Sequence, residues 1–202
     1  MSGLLAWVLV GLGVPVLVVR RPSIAVGLVT AQALVLAGYA LHEATAGKDA
    51  LAAVALGARA LGLGALFLVV AARTREPRPV RPGMPPLVRA GAAVAFALVL
   101  TWLVPTIGLS SRNAERAVLA LVAFGIAAAA TSRATLFQVI GIVLIENGIA
   151  IAALTLPGAS SLIEIGIALD LTLIVFVAAF FHERIFAEFG AGDTAALRSL
   201  RD

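Results

Sequence analysis

The chain has 202 residues, of which 61% are hydrophobic and 13% charged, with a formal net charge of +4 and a mean hydropathy of +1.07. Soluble domains are nearer half apolar and about a quarter charged, so an ordinary water-soluble fold is excluded and lipid is the expected solvent. The absence of cysteine excludes thiolate-held iron–sulfur clusters, thiolate zinc sites and disulfides.

Taken in chain order, seven apolar runs are candidates to cross about 30 Å of hydrocarbon, the fifth of them short and with open edges. They are Gly3–Val19, Ser23–His42, Ala50–Ala72, Leu87–Gly108, Ala117–Thr131, Thr135–Leu156 and Ser160–Phe181. Irregular backbone cannot face lipid, so each should be helical, and the fold class is an all-α integral membrane protein of seven transmembrane helices. The first run lacks a basic n-region and a small-residue cleavage site, and it reads as a retained span. Residues 1–72 make a first three-helix part. The stretch 73–86 holds five of the nine prolines and four arginines, and reads as a cytoplasmic linker. Residues 87–116 are a fourth helix and an outer loop, 117–184 a three-helix unit, and 185–202 a cytoplasmic tail that is either frayed or holds a short helix capped by Asp193.

Charge then orients the spans. Arg20, Arg21, Arg73, Arg75, Arg78, Arg81, Arg133, Arg184, Arg198 and Arg201 fall on one side, with Arg89 close by. Lys48, Arg112 and Arg116 fall on the other. The positive-inside rule puts the larger set in the cytoplasm, the N-terminus outside and the C-terminus inside. These arginines sit between apolar runs and lack interleaved aromatics, so the sequence pI near 11.0 marks topology and not nucleic-acid binding. Trp7 and Trp102 suit an outer aromatic belt, and Phe180, Phe181, Phe186 and Phe189 an inner one. Small residues at Gly62 and Gly64, Gly91 and Ala95, and Ala127–Ala130 are placed to let helices approach closely.

Four charges stand out inside the spans: Arg59, Glu146, Glu164 and Asp170. A charge at mid-bilayer costs about 2.5–3.5 kcal/mol on insertion scales, so each needs a partner or a wet cavity. Glu146 and Asp170 are central in the sixth and seventh spans, each about 12 residues from the loop Pro157–Ala159, so their depths match in an antiparallel hairpin. Arg59 shares that depth in the third span. Glu164, six residues before Asp170, lies on a different face and about 9 Å nearer the outer side. Buried carboxylates beside a movable cation are built to load and release protons, and two adjacent ones titrate as a coupled pair. Gln138, Asn147 and Thr172 are candidates to hold bridging waters. His182, at the inner boundary, reads first as an interfacial anchor and second as a relay. The alternative for the whole set is packing glue, one ion pair with hydrogen-bonded amides.

The segment Ser132-Arg133-Ala134-Thr135-Leu136-Phe137-Gln138-Val139-Ile140-Gly141 resembles the basic turn and the Leu-Phe and Ile-Gly pairs that follow it in the K-type subunit of respiratory complex I and the C-type subunit of Mrp antiporters. Asn147 matches the family's asparagine, while Val143 stands where the family has a glutamate and Glu146 lies one turn along. Asp170 and His182-Glu183-Arg184 match the family's second acid and its basic, histidine-containing end. A seven-span chain with such a C-terminal part is similar to component E of group 4 membrane-bound [NiFe] hydrogenases, the formate-hydrogenlyase type included. The resemblance implies a non-catalytic subunit of the bacterial or archaeal cytoplasmic membrane, carrying no cofactor or metal. It implies antiporter-like membrane subunits and lipid as direct partners, peripheral hydrogenase subunits as indirect ones, and no nucleic acid. Glu146, Asp170, Glu164 and Arg59 then become candidate proton-relay residues, supported by Gln138, Asn147, Thr172 and His182. A subunit of a cation/proton antiporter and a structural membrane anchor are the competing readings; an independent transporter would show an inverted repeat, and none is visible between the two halves.

Overall fold

The computed structural model describes residues 1–45, 47–74, 83–157 and 161–190; of the side chains in this range, those of 48, 161–171 and 189 are outside the description. Among the described residues the chain is all-helical, with seven helices: α1 (Gly3–Val18), α2 (Pro22–Glu43), α3 (Gly47–Arg73), α4 (Pro86–Leu103), α5 (Arg112–Thr131), α6 (Thr135–Thr155) and α7 (Ser161–Phe189). Among those residues α2 to α6 are each long and apolar enough to cross a membrane. The 16 residues of α1 are equally apolar but shorter, and α7 runs for 29 residues. The chain is thus an all-α, multi-pass membrane protein. The linker 75–82, the loop residues 158–160 and the tail 191–202, with Asp193, lie outside the described residues.

Local chemistry sets the helix ends. Pro22 and Pro86 open α2 and α4, where the missing N–H costs nothing and the fixed φ suits a first turn. The fourth helix stops at Leu103, five residues short of the apolar run, because Val104 precedes Pro105 and takes an extended conformation (ψ 124°). The fifth starts five residues before its apolar run, because Ser111 caps it by accepting from Ala114 N at 3.2 Å. The turn between them is tied down twice. Glu115 Oε1 accepts from Gly108 N at 2.9 Å and Leu109 N at 3.3 Å, and Ser110 N donates to Thr155 O at 2.8 Å. Gly108 adopts φ +84° there, a left-handed conformation that favours glycine. The last helix continues two turns past the apolar run, through Arg184 to Phe189.

Helices α5 and α6 form the closest pair. A Cβ on Gly125 would come 2.5 Å from Gly141 O, and one on Gly141 would come 2.7 Å from Gly125 O. The backbones therefore touch, an arrangement open only to glycine on both sides. Gly64 packs likewise against the Thr30 side chain, whereas Gly62 and Gly91 have nothing within 4 Å of a built Cβ. Of the small residues marked by sequence, Gly64 thus serves close packing and Gly62 and Gly91 do not. α1 and α4 lean on α5, and α1 also meets α2.

On the other side, α2 packs on α3, α3 on α7, α7 on α6 and α6 on α2. These four contacts close a ring. Within it α3 and α6 are not main packing neighbours, and among the described residues the buried Glu146 and Asn147 fall there.

Candidate functional site

Arg59 reaches across the ring from α3 to α6, with its Nη2 2.5 Å from Glu146 Oε2. Glu146 is 1% exposed and the Arg59 side chain 13%. Both groups sit near the middle of helices with apolar neighbours, so neither can reach an interface by snorkelling. The contact is an ion pair with incomplete hydrogen bonding: both Glu146 oxygens and Arg59 Nε are buried without a well-directed hydrogen-bond partner among the described residues. A buried polar atom left so costs about 1–3 kcal/mol.

The residue beside Glu146 anchors a second polar chain. Asn147 Nδ2 donates to Gln32 Oε1 at 2.7 Å and, more weakly, to Val29 O at 3.4 Å. Gln32 Nε2 in turn donates to Leu9 O at 2.6 Å. The two backbone oxygens accept only, so they fix which end of each amide is nitrogen. This chain ties α6 to α2 and α2 to α1 through groups that are fully buried. A lone amide in an apolar span is itself a signal of interhelical bonding; by that signal Gln32 belonged with the candidates chosen from sequence, and it was missed.

His182 closes one end of the ring, where α3 ends and α6 begins. It is buried, and its ring nitrogens contact Thr135 Oγ1 at the start of α6 and Thr74 Oγ1 just past α3, the latter at 3.1 Å. The Thr74 hydroxyl proton already goes to Val70 O at 2.8 Å. Thr74 must then accept from His182, which places a ring proton on Nε2. The ring thus ties α7 to the start of α6 and to the end of α3. Nearby, Arg73 and Glu183 approach to 3.7 Å at the surface.

A further clamp lies at the same end. Arg89 is buried; its Nε donates to Leu17 O at 2.7 Å and its Nη1 to Ser132 Oγ at 3.0 Å. Leu17 O is one of the orphan carbonyls at the end of α1, where a cation also meets the negative end of the helix dipole. Gln138 Nε2 donates to Ser132 O at 2.9 Å. Gln138 therefore braces the α5–α6 turn, eight residues and about 12 Å below Glu146, and is not part of the buried pair's surroundings.

The remaining sequence candidates are on α7. Thr172 is half-buried there. Positions 164 and 170 lie within the helix, and the side chains of Glu164 and Asp170 are outside the described set. Register still gives depth. Thr135 opposes His182, so in this antiparallel pair position 135 + 11 = 146 is level with 182 − 11 = 171. Among the described residues no group of three or more His, Cys, Asp or Glu is placed to hold a metal.

No protein-family model, curated protein or solved structure matches this chain.

Proposed function

We propose that this chain is a non-catalytic membrane subunit of a complex I-like membrane-bound hydrogenase, and that Glu146 is a protonation site on its proton path. The observation carrying the reading is the Arg59–Glu146 pair: a 1%-exposed carboxylate at mid-helix, held by a cation from α3, which is not among the main packing neighbours of α6. Ion pairs are a poor way to add stability in a low-dielectric interior. Here the pair spans the inside of a helix ring instead of cementing a main helix–helix contact, which suits a charge that changes state. In this reading Arg59 holds the ionised carboxylate, and arrival of a proton releases it. Asp170, whose backbone position is level with the α6 acid, is the proposed next carrier, and Glu164 an outward one.

The assignment to a hydrogenase complex is supported by residues 132–141, which form the turn into α6, and by Gly141, which sits where α6 crosses α5. On this proposal the N-terminus is outside and the C-terminus in the cytoplasm of a bacterial or archaeal cell. Antiporter-like subunits flank the chain, and the peripheral subunits hold the redox centres.

The 2.5 Å approach of the pair also favours a second reading, a static pin in a membrane anchor. One experiment separates the two. Arg59→Met with Glu146→Leu removes both charges at similar volume, an exchange that is typically neutral or stabilising. Proton translocation is followed in inverted membrane vesicles, with co-purification of the complex as the check on assembly. The relay predicts an assembled complex whose redox activity no longer moves protons; undiminished translocation rules it out and leaves the anchor. Sodium-dependent activity of the unaltered protein would move the assignment to the antiporter class.

A further inference from the structure

Beside the ion pair, α2, α3 and α6 line a partly open cleft with about 20 Å³ of room for water. About 10–15 Å³ is enough for one. The wall is apolar, with Leu63 and Phe67 among its residues, except for one polar side chain from each helix: Thr30, Arg59 and Asn147. Arg59 Nε is buried with no hydrogen-bond partner among the described residues. Asn147 commits its NH2 to Gln32 and Val29, so its carbonyl oxygen is the group left to offer. The Thr30 hydroxyl stands against Gly64, where a Cβ would come within 2.6 Å of it; the glycine keeps room for that hydroxyl.

We propose that this cleft is an internal water site, with Arg59 Nε donating to the water and the Asn147 carbonyl and Thr30 hydroxyl completing its shell. The chemistry selects the occupant. The guanidinium repels a cation. The Glu146 carboxylate, 2.5 Å from that guanidinium, and the Asn147 oxygen repel an anion. A small neutral group that both donates and accepts fits all three partners.

The site also deepens the relay reading, and only in this step rests on it. When Glu146 takes up a proton it no longer balances Arg59. The water and the Asn147 oxygen then give the guanidinium a second seat, so the cation is not left bare in the bundle.

The test uses hydroxyl-radical footprinting of the whole chain in its membrane, with radicals generated from oxygen-isotope-labelled water. Phe67 and Phe124 are almost equally buried, at 1% and 2% exposure, and of the two Phe67 alone lines the cleft. Labelling of Phe67 several-fold above Phe124 is the expected result, and equal protection of both overturns the site. In Ala33→Leu, which fills the cleft from its wall, Phe67 labelling should fall to the Phe124 level; persistence would show that the water lies elsewhere and overturn the assignment. Proton translocation by Ala33→Leu is read separately. A several-fold loss supports the second-seat role. Normal translocation with Phe67 labelling abolished leaves the water site standing and removes that role.

Discussion

Glu146 and Arg59 depend on each other more than either contributes alone. Taking away one partner strands a charge in the bundle and costs about 3–5 kcal/mol, whereas replacing both costs little. Glu146→Gln alone should therefore lower thermal stability in detergent more than Arg59→Met with Glu146→Leu. Equal loss would mean that the ionised pair is not what the interior holds. The intramembrane charges are visible in sequence because each interrupts an apolar run, and depth follows from counting along the helices. Partner choice does not follow. Arg59 is at the right depth for Glu146 and for position 170 alike, and only the rotation of three helices settles that Glu146 is within 2.5 Å. Gln32 and the threonines at His182 escape a reading based on charge, and that reading gives Arg89 only a place in the topology, since their roles come from backbone carbonyls and hydroxyls brought together by packing. His182 offers its own test. The chain has two histidines, and His42 is exposed. Nitrogen NMR of histidine-labelled protein should show a proton on Nε2 of His182. The Nδ1–H tautomer would contradict the donor order deduced from Thr74.

Helices are the part that composition dictates most firmly, because an unbroken apolar run of about 20 residues satisfies its N–H and C=O groups in lipid as a helix, while barrel strands are shorter and alternate in polarity. Their existence and order follow from hydropathy; their ends follow from caps. Ser111 and the Val104–Pro105 pair move the boundaries of α5 and α4 away from where apolar residues begin and end. Close packing is a subtler matter, since a glycine count does not reveal which glycines face a neighbour. Gly125 and Gly141 do, and Gly62 and Gly91 do not. Gly141→Ala should force α5 and α6 apart and destabilise the protein by about 1–3 kcal/mol, measured as thermal unfolding in detergent. Gly91→Ala, with open space at its Cβ, should be neutral or slightly stabilising through helix propensity. Equal behaviour of the two variants would deny the close crossing.

As a whole, the molecule is two packing groups joined through α2 and α6: α1, α4 and α5 on one side, and the α2–α3–α7–α6 ring on the other. One end is stitched by His182 and Arg89, and the turn between α4 and α5 at the other end by Glu115 and Ser110. None of this architecture can be counted out of the sequence, because helix neighbours in a bundle are set by packing and not by chain order alone. The absence of cysteine makes single-cysteine labelling clean. A cysteine at Ser2 should react with an impermeant reagent from outside the cell, and one at Ala187 only after the membrane is opened; the reverse pattern would invert the proposed orientation. The central claim, that Glu146 changes protonation state in the working protein, is tested most directly by infrared difference spectroscopy of the complex during turnover. A protonated-carboxyl band that appears and disappears with turnover, and is missing from Glu146→Gln, is the predicted result. A spectrum in which that variant and the unaltered protein show the same carboxyl changes would contradict it.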